Sequence, residues 1–407
     1  SDVCSVSVKL TVSAEYIITS YILTDYYGPG GDVVVPDKYN FSYIDEEVFM
    51  NNDEITSIVI PDGVTEIYKD AFKNCKNLKK VVLPDTLTYI HESAFEGCTS
   101  LEEVDMSNCL SLIVGKRAFF GDSSLNKITT DDRGCRIVAA WDYAFAGCTS
   151  LTSYDAQNLC IVGDYVFSGC TALSDVNLTE YTVIGRGMFY NCVSLTDITL
   201  LSDAIGERAF GGCRGLTNVT LSSDMLTVGD GAFADCTSLT SLNFEGSTVR
   251  IGDGAFSGCR ALTVLDLPDG KVTLGEGAFR GALTLSVLRF GQNTELSLTG
   301  SAPFEGCVNF MSLVTVRTLD SGETITVSSG KTLRYQIKDN ILYSADGKEL
   351  VLIPTGKGIE GFVFPAGVTA VGDNAFYGHT ELKSIDLSGI RTVGRYAFER
   401  TGITTLV

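Results

Sequence analysis

Thirteen cysteines and two histidines are the residues of this 407-residue chain from which thiol, metal or acid–base chemistry could be built. Nine of the cysteines share one position, three residues after a phenylalanine: Cys75, Cys98, Cys148, Cys170, Cys192, Cys213, Cys236, Cys259 and Cys307. Elsewhere the same position holds Asn52, Asp122, Ala282, His379 and Thr401. A disulfide needs a partner, whereas a position shared with Ala, Asn and Thr asks only for a small buried group able to bond a neighbouring carbonyl. Side chains stacked at the strand spacing of about 4.8 Å also lie beyond the usual disulfide Cβ separation of about 3.8 Å. The expectation is a reduced structural ladder. Cys109, Cys135 and Cys160 lie off this position, but no close Cys-x-x-Cys pair starts a four-ligand zinc site, so they read as packing residues. Neither His91 nor His379 belongs to a His-Glu-x-x-His motif, and there is no Gly-x-Ser-x-Gly. Pieces such as Gly252-Asp253-Gly254 recur at turn positions and lack the third glycine of a nucleotide fingerprint. No catalytic residue, metal site or cofactor is expected.

The elements that position these residues are legible from the phenylalanines that precede them. Phe49, Phe72, Phe95, Phe119, Phe145, Phe167, Phe189, Phe210, Phe233, Phe256, Phe279 and Phe304 follow one another at intervals of 21 to 26 residues, and Phe376 and Phe398 resume the series. A period of about 23 lies in the leucine-rich-repeat range. Three residues after the Cys comes a Leu, then an apolar pair such as Val219 and Leu221, whose alternation puts one face of a short strand inward. An Ile-Gly or Val-Gly, as at Val228-Gly229, closes a second short strand before the Phe. One repeat cannot bury these groups alone, and stacking makes a continuous core. The expected fold is a right-handed repeat solenoid, β-rich, with short strands and a single helical turn around each Phe.

The Ala-Phe, Cys and Leu pattern, over about 49–313 and 366–407, resembles the BspA-like, or treponemal-type, leucine-rich-repeat family. That resemblance implies a secreted or surface-attached bacterial protein that binds host or matrix proteins or other cells. Four segments are expected: an N-terminal cap over 1–36, the solenoid over 37–313, hairpin-bearing variant rungs over 314–365, and terminal repeats over 366–407. In the cap, Gly28-Pro-Gly-Gly31 reads as a turn between Tyr16–Tyr27 and Val33–Val35. Between Phe304 and Phe376 the spacing of 72 amounts to about three units without an anchor. There, residues 340–354 read as a strand, a turn and a strand.

What the repeat leaves unspent is the outward side of the first strand. Its alternation marks Glu103, Asp105, Asp155, Asp175, Asn177, Asp197, Asn243 and Asp266 as candidate ligand-binding residues. Asp175 and Asp197 read as neighbours in one column, needing screening, a raised pKa or a cation, so a weak calcium site with Asp155 is an expectation to test. The net charge of −20 disfavours nucleic acid and anionic lipid as partners. No apolar run is long enough to insert into a membrane, and the sequence begins without the basic and apolar regions of a signal peptide. The functional expectation is a non-enzymatic, adhesin-like binding scaffold, extracellular or at the cell surface, recognising a protein or glycan. The alternatives are a metal-dependent enzyme or calcium-binding protein built on the acidic face, and a purely architectural surface component.

Overall fold

A computed structural model describes residues 16–19, 21–35, 41–107, 109, 111–129, 136–156, 159–178, 182–291, 294–299, 303–307, 309–310, 312–315, 324–328, 332–344 and 346–406. The chain divides into two compact units, Ser1–Leu195 and Thr196–Val407. Both are β-solenoids made of the same rung. A short strand follows the repeat Leu, a second short strand precedes the turn Gly, and a compact turn surrounds the anchor Phe.

In the first unit the earlier strands form a parallel sheet of Gly31–Val34, Ile55–Val59, Lys80–Val82, Glu103–Asp105 and Lys127–Thr129. Ser153–Asp155 and Asp175–Asn177 form a two-stranded continuation of the same rung position. The later strands, from Ile22–Tyr26 to Ile161–Val162, lie in a second sheet, which opens with an antiparallel pair of Tyr16–Thr19 and Ile22–Tyr26. The hairpin at this end is therefore closed near Tyr21. The Gly28–Gly31 segment instead passes the chain to the other sheet, where Gly31–Val34 pairs with Ile55–Val59.

The second unit repeats the plan with Asp197–Leu200, Asn218–Leu221 and Ser241–Phe244 in one parallel sheet, and Val264–Leu267, Val287–Phe290 and Ser312–Thr315 in another. Between Thr294–Leu298 and Ala370–Val371 its second-strand sheet takes in four strands, Thr324–Ser328, Thr332–Lys338, Ile341–Ser344 and Glu349–Leu352. The strand-turn-strand reading of 340–354 corresponds to the antiparallel pair of Ile341–Ser344 and Glu349–Leu352.

The turn is where the structure departs from the expected helical turn. Within it, Ala232, Ala234 and Cys236 donate to the carbonyls three residues back, of Gly229, Gly231 and Phe233. The intervening N–H groups of Gly231, Phe233 and Asp235 donate to the next rung, to Asp253, Ala255 and Ser257, at 2.7 to 2.8 Å. No helix forms, because the residues two before and two after the Phe take positive φ, 60° at Gly231 and 59° at Asp235, which breaks the run of right-handed residues a helix requires. Larger residues accept the same conformation, among them Arg117 at 55° and Tyr143 at 58°. A left-handed residue costs roughly 1–2 kcal/mol, and the added main-chain bonds between rungs offset that at about 1 kcal/mol each.

The core is the file of anchor rings. Phe233 and Phe256 stack at 5.1 Å with planes 1° apart, Phe256 and Phe279 at 5.3 Å and 6°. In the first unit Phe49, Phe72, Phe95 and Phe119 continue likewise at 4.6 to 5.1 Å. All of these rings are buried.

Candidate functional site

The thiols are spent on stacking. The Sγ atoms of Cys75, Cys98, Cys148, Cys170, Cys192, Cys236, Cys259 and Cys307 donate to the carbonyl of the anchor Phe one rung earlier, as from Cys75 to Phe49 at 2.9 Å, Cys98 to Phe72 at 3.1 Å and Cys259 to Phe233 at 3.3 Å. No disulfide joins the described cysteines, of which only Cys160 is exposed. Burial pushes the thiols of Cys98, Cys148 and Cys236 well up, and those of Cys170 and Cys307 to about 12, so none is a ready nucleophile near neutrality. Cys109 is buried and donates to Pro84 O at 3.4 Å, while Cys135 lies outside the described residues. His91 meets Glu66 at 2.6 Å and stacks on Tyr89 at 4.0 Å. His379, fully buried in the thiol column, meets Glu381 at 2.8 Å and Ile353 O at 3.4 Å.

The outward positions of the first strand fall where the alternation put them, with Val104, Tyr154, Ile198, Leu242 and Leu265 buried between them. Their chemistry differs from rung to rung. Glu103 is clamped between Lys80 and Lys127, at 2.9 Å each, and accepts from Thr129 Oγ1 at 2.9 Å. Those hydrogen bonds lower its pKa to about 2. Asp105 accepts the Ser107 N–H at 3.0 Å, closing its own turn. Asp266 pairs with Arg289 at 3.4 Å, and Asn243 accepts from Ser241 Oγ at 3.5 Å.

Register decides which of the remaining groups meet. Asp155 lies opposite Asn177, and Asp175 opposite Ser153, and all four are exposed. Asp197 belongs to the second unit, on a strand paired with Asn218. Its carboxylate accepts from the Asn218 amide, which lowers its pKa. The expected raised pKa is therefore not found at Asp197. Among the described residues no group of three or more His, Cys, Asp or Glu side chains is placed to hold a metal ion, and the calcium expectation gains no support.

Of two buried polar groups, Asp122 is marked in the sequence by its place in the repeat, whereas Asn374 is not. Asp122 stands in the thiol column, and Asn374 lines a cavity of about 30 Å³ in the second unit, together with Phe304, Phe310, Ile353, Asp373 and Tyr377. A signal for the cavity itself was present. Ile353 precedes Phe376 by 23 residues, the repeat period, its N–H donates to Ala375 O as anchor Phe residues donate to the next Ala, and its carbonyl faces His379. Toward the Phe376 rung, Ile353 takes the anchor's place. The interval of 72 thus contains an anchor position, filled by isoleucine in place of phenylalanine.

Among the described residues no helix is long and apolar enough to cross a membrane. No curated protein matches the chain. Solved structures similar to it include a leucine-rich repeat protein from Bacteroides ovatus, 24% identical over 74% of this chain and 91% of that one, with a TM-score of 0.46. A leucine rich cell surface protein from Faecalibacterium prausnitzii is 23% identical over 77% and 98%, with a TM-score of 0.41. The pneumococcal vaccine antigen PcpA is 18% identical over 76% and 87%, with a TM-score of 0.49. The family profile described as BspA type leucine rich repeat region matches in six copies, over residues 42–137, 111–204, 182–311 and 355–407. With anchor, thiol and leucine positions repeating along the chain and that profile spanning most of the sequence, this chain belongs to the BspA-type leucine-rich-repeat family.

Proposed function

We propose that this chain is a non-enzymatic, adhesin-like binding scaffold, secreted or held at a bacterial surface, which recognises a protein or glycan through the outward face of its first strands. The observation that carries this reading is the contrast between that face and the rest of the rung. The anchor rings and the thiols of the column are buried in the stack, whereas Ser153, Asp155, Asp175 and Asn177 form a solvent-exposed polar quartet set by strand register. Exposed groups fixed on a parallel sheet lose little entropy when a partner is bound, and solenoids offer such faces for recognition. Glu103 and Asp266 contribute less, because their carboxylates already hold Lys80, Lys127 and Arg289.

The test is a binding screen of the wild-type chain against host matrix proteins and glycans, repeated with Asp155→Ala, Asp175→Ala and Asn177→Ala combined. The expected result is at least a tenfold loss of affinity for the bound partner, equivalent to about 1.4 kcal/mol, with no change in thermal unfolding. Binding that survives the triple change would remove this face from the reading.

A further inference from the structure

An ordinary rung gives three turn N–H groups to the next, as Gly231, Phe233 and Asp235 give theirs to Asp253, Ala255 and Ser257. At the seam between the Ile353 turn and the Phe376 rung the corresponding positions are Val351, Ile353 and Thr355. Among the described residues Ile353 alone donates across, to Ala375 O at 3.2 Å. The column bond of this seam comes from His379, whose Nε2 reaches Ile353 O at 3.4 Å as Cys75 Sγ reaches Phe49 O. Its other ring nitrogen, Nδ1, lies 2.8 Å from Glu381 Oε1. Both partners are acceptors. A neutral imidazole has one N–H and would turn a lone pair on the carbonyl or on the carboxylate, whereas the imidazolium donates to both. Burial opposes ionisation of Glu381, but the His379 hydrogen bond and main-chain N–H groups outweigh it and hold that carboxyl below its ordinary range. His379 is fully buried, and a buried cation needs its counter-ion and its hydrogen bonds together.

The other ionisable groups of the surrounding turns are engaged elsewhere or face water. Glu305 holds Arg280 at 2.6 Å and Arg400 at 3.6 Å, and accepts from the Tyr377 hydroxyl. Asp373 accepts the Arg395 N–H at 2.6 Å, while Lys357 and Lys383 donate to Asp339 O and Thr380 O. Glu360, Arg391 and Glu399 are exposed. Burial, then Asp373 and Asp346, raises the carboxyl of Glu349.

We propose that His379 and Glu381 form a pH-operated latch across this seam: the imidazolium ties the Phe376 turn to Ile353 O, and its deprotonation releases the tie and lets the seam open locally. The seam adjoins the cavity of about 30 Å³, where packing is already incomplete. Because the fold favours the protonated ring, the stabilisation is present in mild acid and is lost as pH rises. It is lost again in strong acid, where Glu381 takes up a proton. Histidine is the side chain whose ordinary charge change falls between about pH 5 and 8, which makes about pH 6 and about pH 8 the two arms of the test. The latch is separate from the exposed strand quartet, so its failure would leave that reading standing.

The experiment uses the full chain with its two histidines isotope-labelled on the ring nitrogens, and NMR told apart by His379→Cys. At about pH 6 both nitrogens of His379 are expected to carry protons. Amide hydrogen exchange over residues 349–382, corrected for the intrinsic rate at each pH, is expected to lose about tenfold in protection between about pH 6 and about pH 8. His379→Cys restores the residue that nine rungs carry, and is expected to make that protection independent of pH. Glu381→Gln keeps an acceptor but removes the counter-charge, and is expected to loosen the seam already at about pH 6. A neutral His379 ring at about pH 6, equal protection at the two pH values, a pH dependence that His379→Cys leaves intact, or an unchanged seam in Glu381→Gln would each overturn the proposal. The ring measurement on the wild-type chain decides the matter even where a variant fails to fold.

Discussion

At Asp122 a carboxyl occupies the position where most rungs carry a thiol. It is fully buried, its Oδ1 accepts the Cys98 N–H at 2.8 Å, and its Oδ2 has no partner among the described residues. Burial, the largest cause, raises its pKa well above the carboxylate range. In the unfolded chain the same group ionises near 4. Above that pH the unfolded state binds fewer protons than the folded one, so this residue's contribution makes stability fall as pH rises toward the raised folded value. Asp122→Asn removes the linkage. It is expected to raise unfolding free energy by about 1–3 kcal/mol at pH 7, with little change at pH 3.5, as read from urea midpoints at the two pH values. An identical pH dependence in both proteins would mean that Asp122 is ionised in the fold.

At the scale of the element, the turn explains the recurrence of Gly-Asp-Gly. Gly254 takes a φ of 58°. Gly252 has a different reason: a Cβ there would lie 2.4 Å from Asp230 Oδ1 and 2.9 Å from Asp230 N, in the preceding rung. That carboxylate is held in place because its Oδ1 accepts the Asp253 N–H at 2.8 Å, as Asp253 Oδ1 in turn accepts the Glu276 N–H at 2.7 Å. Gly252→Ala is expected to cost about 1–3 kcal/mol as an overpacking change. In an Asp230→Ala background part of that cost should vanish, since the carboxylate contact is gone, and a double-mutant cycle on unfolding free energy measures the difference. Strict additivity would assign the whole effect to the main-chain contact.

For the whole molecule the dominant electrostatic fact is 50 acidic residues against 30 basic ones. Local pairs such as Lys80–Glu103–Lys127 and Arg280–Glu305 neutralise a minority, and surface pairs contribute little, about 0–1 kcal/mol each. The unbalanced charge repels itself in the folded state. Raising monovalent salt from about 0.01 to 0.15 M shortens the screening length from about 30 to about 8 Å. The melting temperature is therefore expected to rise by a few degrees over that range in a calorimetric scan. A fall would show that the local pairs outweigh the net repulsion.

The repeat architecture and the structural role of the cysteines were legible in the sequence because stacking makes the same demand at every rung. A residue that must fill the core or bond a neighbouring carbonyl recurs at the period of the stack. The alternation that turned Asp155 and Asp175 outward was legible for the same reason, since neighbouring residues of a strand face opposite ways. Two things were decided only in three dimensions, and a third, the anchor role of Ile353, had only its distance of 23 residues from Phe376 to mark it in the sequence. The turn is not helical, because Tyr143 and Arg117 take left-handed backbone that their side chains do not announce, held by bonds to the next rung. Glu103 is spent and Asp155 faces Asn177, because strand register, which no residue type encodes, chooses the partners. Ile353 takes an anchor position 49 residues after Phe304, because a stack registers only the residue that reaches the core, however much chain is looped out as hairpins on the way.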